Sequence, residues 1–143
     1  IRSMRKAAER WLKSQPWTDG QAPTRMDLGL AVPAVISVWR ASYSRGVGEA
    51  RLKRIWVVSG DVPTAAFDAE NIDTAVEALK WYCTLMMRWA AAILRPSSRK
   101  LQVYPVNARR SKANALALES RITFLRRRVI PAFRSTLVPK VQL

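Results

Sequence analysis

Met4, Ala8, Trp11 and Leu12 fall on one face at helical spacing, while Arg2, Arg5, Lys6, Arg10 and Lys13 fill the remainder. Residues 2–14 are therefore predicted to form an amphipathic helix. The run Gln15-Pro16-Trp17-Thr18-Asp19-Gly20, followed by Pro23, carries strong breakers and ends it. Over residues 35–41 the period changes. Val35, Ser37 and Trp39 alternate with Ile36, Val38 and Arg40, the two-residue repeat of a strand. Residues 52–59 are β-rich again around Ile55-Trp56-Val57-Val58, and Gly46 and Gly48 punctuate the stretch between. The expectation is a hairpin over 33–60 with its loop at 43–50.

After Gly60-Asp61-Val62-Pro63 the chain turns, and the pattern becomes helical. Thr74-Ala75-Val76-Glu77 fits a capping box, in which the Thr hydroxyl and the Glu side chain satisfy each other's exposed amides; Asp73 competes as the cap one residue earlier. Val76, Leu79, Cys83, Met86 and Ala90 form one stripe, widened by Leu85, Trp89 and Ile93, so this helix is predicted to be the most buried, ending near Leu94 before Pro96. A last helix is predicted from about Ser111, with Ala115, Leu118, Ile122, Leu125 and Val129 as its apolar stripe, until Pro131 breaks or bends it. The tail after about 131 is expected to be a short helix or extended. The fold class these elements imply is α+β: one domain over 1–143, with a small antiparallel sheet packed against three to four helices.

Composition agrees with a folded domain. The 143 residues are 49% hydrophobic and include six tryptophans, too much apolar matter for a disordered basic tail. Charge changes the picture more. Twenty-five Lys and Arg stand against ten Asp and Glu, a net +15, and eighteen of the bases are Arg, whose planar fork suits phosphates and carboxylates. The excess is uneven. Residues 1–60 carry net +7, residues 61–77 carry five acids and no base, and residues 78–143 carry net +13 with Glu119 as their sole acid.

Within that last stretch Arg95, Arg99 and Lys100 form one cluster, Arg109, Arg110 and Lys112 a second, and Arg126, Arg127 and Arg128 a third. On the predicted last helix Arg121, Arg127 and Arg128 project away from the apolar stripe, and no acids are interleaved to neutralise them. The candidate polyanion-binding residues are therefore Arg109, Arg110, Lys112, Arg121, Arg127 and Arg128. Tyr104, between the first two clusters, is a candidate base-stacking side chain as well as an ordinary half-buried aromatic.

Chemistry is harder to find. With no histidine there is no Ser-His or Cys-His pair and no His-ligated metal. The single cysteine, Cys83, excludes an intramolecular disulfide, sits in an apolar run and is read as a buried hydrophobe. Ser59-Gly60-Asp61 follows a buried-looking strand, but a serine nucleophile needs a base, and without histidine the options are a Lys or a carboxylate. Gly46-Val47-Gly48 is too short for a phosphate loop. Asp61 and Asp68 are two carboxylates that together fall short of a cation site. No cofactor or metal is implied. The most apolar run, residues 81–94, is interrupted by Arg88 and is shorter than the roughly 20 residues a bilayer span needs. A cytoplasmic location is expected, and a start at Ile1 fits a trimmed chain or a piece of a longer product.

Val35-Ile36-Ser37-Val38-Trp39, followed by Ile55-Trp56-Val57-Val58-Ser59-Gly60-Asp61-Val62-Pro63-Thr64, resembles an uncharacterised bacterial domain-of-unknown-function family. Its motif is a strand ending in Trp, then a second Trp-bearing strand running into a Gly-Asp-x-Pro-Thr turn and a helix. The likeness covers about residues 33–90 and departs from the motif at Ala65, where a second Asp would stand. It implies a single α+β domain and brings no activity with it, and it marks Ser59, Gly60 and Asp61 as a motif turn with a structural role.

The reading is a non-enzymatic binding module whose basic face engages a polyanion, nucleic acid first. One alternative is an adaptor, inhibitor or immunity-type protein that docks an acidic protein; exposed Trp beside the basic face would favour it. A second is a basic enzyme domain acting on nucleic acid, which requires Asp61 and Glu49 to lie near one another.

Overall fold

A computed structural model describes residues 1–96, 103–106 and 108–134. The fold class is α+β, with three α-helices and a four-stranded antiparallel sheet among these residues. The chain divides into two compact units, Ile1–Ala78 and Leu79–Leu143.

The first unit opens with α1, Arg2–Ser14. Its apolar stripe does what the spacing demands: Ala8 and Leu12 are fully buried, with Met4 and Trp11 packed beside them. Burying Leu12 is worth roughly 1.5–3 kcal/mol. A one-turn 3-10 helix, Pro16–Thr18, follows. There the buried Thr18 hydroxyl donates to the carbonyls of Leu12 (2.8 Å) and Gln15 (2.9 Å), taking up acceptors that the end of α1 leaves over.

The sheet is a meander of β1 (Arg25–Val32), β2 (Ile36–Val47), β3 (Leu52–Gly60) and β4 (Val62–Asp68), in that spatial order. The hairpin expected over 33–60 is its centre, with a shorter loop than 43–50. β2 runs on to Val47 through an irregularity after Ser42, and four residues remain for the turn. The two outer strands go beyond the expected hairpin. In β1 a bulge between Leu28 and Leu30 shifts the register and breaks the alternation. Gly29 belongs there, because a Cβ would lie 2.6 Å from Ala75 Cβ. β4 is an edge strand, the place where Pro63 is tolerated.

Trp39, Ala41, Tyr43, Ile55 and Val57 share the core cluster of Ala8 and Leu12, which places them on the α1 side of the sheet. Ile36, Val38, Trp56, Val58 and Ala65, from the alternate positions, are buried as well. With both faces covered, the strands read as near-continuous apolar runs. The Trp39 indole donates to Ser37 Oγ (2.8 Å) and the Trp56 indole to the Ile72 carbonyl (2.9 Å), so each buried ring satisfies its N–H.

Helix α2, Ala75–Leu94, begins in the first unit and continues into the second. The Thr74 hydroxyl accepts from the Glu77 amide at 3.1 Å, the expected cap. In the second unit, α3 (Lys112–Phe124) is capped by Ser111, whose hydroxyl accepts from the Asn114 amide at 3.1 Å. Ala115, Leu118, Ile122, Leu125 and Val129 are all buried, as the stripe requires. Pro131 does not stop the helix. A π-helical turn, Leu125–Val129, comes just before it, and helix continues to Arg134. The wider turn lies where the proline ring would otherwise press on the Arg127 carbonyl. The expected tail beyond Arg134 lies outside the described residues.

Candidate polyanion-binding surface

Arg109, Arg110, Lys112, Arg121, Arg127 and Arg128 are all exposed. Arg109 and Arg110 precede the Ser111 cap, and the Arg109 carbonyl accepts from the Asn114 side chain at 2.9 Å, which fixes the approach of the chain to α3. Fifteen helical residues separate Lys112 from Arg127, about 22 Å along the axis. The six bases are thus spread along one helix and its entry, a geometry suited to an extended ligand. Glu119 sits midway and is bound by Arg95 at 3.4 Å. Arg99 and Lys100 of the first sequence cluster lie outside the described residues.

The triplet Arg126-Arg127-Arg128 does not act as one patch. Arg126, Ile130, Pro131 and Arg134 line a cleft of about 330 Å³ with Lys80 and Thr84 of α2; Arg127 and Arg128 do not. Arg126 is near enough to α2 for its charge to oppose the burial that pushes the Cys83 thiol up to about 11. Cys83 itself is fully buried, a packing residue as read from the sequence. Burial also raises the Tyr82 hydroxyl, with smaller contributions from Cys83 and Tyr104.

Sequence reasoning missed Lys80, Thr84, Arg126 and Arg134 as a group, and it missed Trp81. The signal was the complement of the apolar stripe on α2. Lys80, Trp81 and Arg88 are exposed and Thr84 half-buried along one arc of that helix, which the exposed Glu77 begins. Trp81 is 38% exposed, and the Arg88 guanidinium lies over its ring at 5.4 Å.

The motif turn belongs to the first unit. Gly60 has φ +143°, and a Cβ there would lie 2.4 Å from the Val35 carbonyl oxygen. The Asp61 amide donates to that same oxygen at 2.9 Å, so the turn clips β3 to the start of β2. Ser59, Gly60 and Asp61 line a cleft of about 360 Å³ with Ser3, Met4, Ala7 and Ala34. Ser59 Oγ is 3.2 Å from Thr64 Oγ1, a hydroxyl too weakly basic to activate it.

Two pairings considered from the sequence are not formed. Asp61 and Glu49 occupy turns at opposite ends of β3, roughly 30 Å apart at strand rise. The enzymatic alternative therefore loses its carboxylate pair. Asp61 and Asp68 stand at opposite ends of β4, about 20 Å apart, too far to share a cation. Asp68 instead accepts from the Glu70 amide at 2.9 Å. Among the described residues no group of three or more Cys, Asp or Glu is placed to hold a metal, and no helix is long and apolar enough to cross a membrane.

A family model, Domain of unknown function (DUF4826), matches residues 3–121. The chain belongs to this family. The DUF4826 match takes in α1, the whole sheet, α2 and most of α3, and stops short of the π-turn. Arg126 and Arg134, on one wall of the basic cleft, thus lie beyond the matched DUF4826 region. No curated protein and no solved structure matches the chain.

Proposed function

We propose that this DUF4826 protein is a binding module that engages a polyanion, nucleic acid first, through the basic surface of its second unit. The observation that carries the reading is electrostatic. Residues 79–143 hold fourteen basic side chains and one acidic one, Glu119, which lies 3.4 Å from Arg95. Like charges at this density repel one another within a small body, a cost offset when a polyanion replaces the condensed counterions. Arg109, Arg110, Lys112, Arg121, Arg127 and Arg128 are the contacts assigned to phosphates. A bacterial cytoplasm suits the reading, since nucleic acid is its abundant polyanion. The Gly60-Asp61-Val62-Pro63-Thr64 turn serves as the shared structural signature of the family.

The test is fluorescence anisotropy with labelled single- and double-stranded DNA and RNA, from low salt to about 0.2 M. Tight binding that falls linearly on log–log axes, yet survives at the upper end, supports the proposal. Binding that vanishes there removes it.

The exposed Trp81 with its Arg88 partner favours a second reading, docking of an acidic protein, because Trp and Arg are frequent interface anchors. That reading requires stoichiometric binding to one protein, undisturbed by bulk nucleic acid.

A further inference from the structure

The cleft between α2 and the last helix differs in kind from the basic surface around it. One wall is Lys80 with Thr84 at i and i+4, the other Arg126 with Arg134 at i and i+8, two turns on, and Ile130 and Pro131 form an apolar floor. Three cations therefore converge on one concavity. The Thr84 hydroxyl donates to the Lys80 carbonyl at 3.2 Å, which holds the side chain at the cleft wall. A volume of about 330 Å³ admits a phosphate with its attached sugar, but not a duplex some 20 Å wide. On the same solvent-facing arc of α2, next in sequence to Lys80, stands the exposed Trp81.

We infer that this cleft seats one phosphate of a single-stranded nucleic acid, while Trp81 stacks on a neighbouring base. The inference rests on the nucleic-acid reading above and narrows it to single strands. The chemistry fits. Guanidinium forks from Arg126 and Arg134 meet the two non-bridging oxygens that share a phosphodiester's single charge, Lys80 adds a point charge, and the floor takes the sugar. A duplex keeps its bases stacked inside and has none to offer Trp81, whereas a single strand presents bases with open faces.

The experiment compares four proteins: the native chain, Arg126→Gln/Arg134→Gln, Trp81→Leu, and Arg10→Gln/Lys13→Gln, which removes two charges from exposed positions on α1. Affinity is measured for one oligonucleotide as a single strand and as a duplex, and separately for inorganic phosphate. Expected results are a native preference for the single strand of about tenfold, and a loss of about tenfold or more in Arg126→Gln/Arg134→Gln. Trp81→Leu loses single-strand but not duplex affinity, and the α1 variant stays within about twofold of native on both. Lys80→Gln, on the opposite wall, gives the same direction of loss and serves should the double variant fail to fold.

If Arg126→Gln/Arg134→Gln loses no more than the α1 variant while the native protein still binds oligonucleotides, the cleft assignment is overturned and the broader reading stands. Equal affinity for single strand and duplex, with no effect of Trp81→Leu, overturns the single-strand assignment. Should no oligonucleotide bind, yet inorganic phosphate binds and depends on Arg126 and Arg134, the nucleic-acid reading fails and this inference with it. The cleft would then belong to a phosphate from another source.

Discussion

The two units of this chain are about equally long and differ chiefly in what their charges face. Residues 1–78 hold eleven bases and nine acids, residues 79–143 fourteen bases and one acid. In the first unit bases and acids nearly balance, and some charges meet locally: Arg5 pairs with Glu9 at 3.0 Å, Arg25 with Asp27 at 2.9 Å, and Arg40 lies over the Trp56 ring at 5.5 Å. The two ion pairs are exposed and contribute about 0–1 kcal/mol each, so the unit is held by its packed sheet and α1 rather than by ion pairs. In the second unit the bases have a single carboxylate to meet. The contrast teaches that net charge alone would have misplaced the function over the whole chain. On the proposed reading, recognition belongs to the second unit, where the charge is unbalanced.

The comparison breaks most visibly at Gly60. An alanine there brings its Cβ to 2.4 Å from the Val35 carbonyl oxygen and keeps a backbone angle that side-chain-bearing residues rarely adopt. A loss of about 3 kcal/mol in unfolding free energy is expected, read from the urea midpoint. A tolerated Gly60→Ala would show that the motif turn is not a structural clip, and would turn attention to its cleft as a site.

Arg127→Glu/Arg128→Glu comes next. Four units of charge change on exposed positions, and oligonucleotide affinity at low salt is expected to fall about 10- to 100-fold with little change in thermal stability. Unchanged affinity would remove that face of the helix from the binding surface. Ser111→Ala sits lower on the scale. It deletes the hydroxyl that accepts from Asn114 at the start of α3, so a loss of about 1 kcal/mol in stability is expected.

Much of this is legible in the sequence. The α1 stripe, the Thr74 cap, the start of the last helix near Ser111 and the two central strands follow from periodicity and capping chemistry that act over a few residues. The outer strands escaped for a physical reason. The Gly29 bulge moves β1 from one face phase to the other, with Met26 on the α1 side and Leu30, past the bulge, paired with Val38. In β4 a proline and two alanines supply little strand propensity, and pairing with β3 decides instead. The basic cleft was illegible for another reason. Runs such as Arg126-Arg127-Arg128 draw the eye, yet consecutive helical residues point 100° apart, and only Arg126 turns toward Lys80, forty-six positions earlier. A charge cluster in sequence and a charge cluster in space are different objects.

A last difference separates the units by pH. Each contains a buried acid group whose proton is held more tightly in the folded state. Burial pushes the Tyr43 hydroxyl from 10 up to about 12 in the first unit, and the Cys83 thiol from 9 up to about 11 in the second, where Arg126 opposes part of the rise. A raised folded value means that the stability from each group is fully present below its unfolded value and is lost as pH rises through the folded one. The chain is therefore expected to weaken first between about pH 9 and 11 on account of Cys83, then between about 10 and 12 on account of Tyr43. Tyr43→Phe should flatten the second part and leave the first, since the ring stays and only the titrating oxygen goes. Cys83→Ala should do the reverse, at some cost in packing at every pH. Arg126→Gln, by removing the opposing charge, should move the thiol higher still, so that the first loss starts at the same pH but runs on to a higher one and ends deeper. Denaturant midpoints measured from pH 8 to 12 on the three variants read all of this. An Arg126→Gln profile that matches the native one would show that Arg126 does not lie over α2 in solution, and would take one wall of the cleft with it.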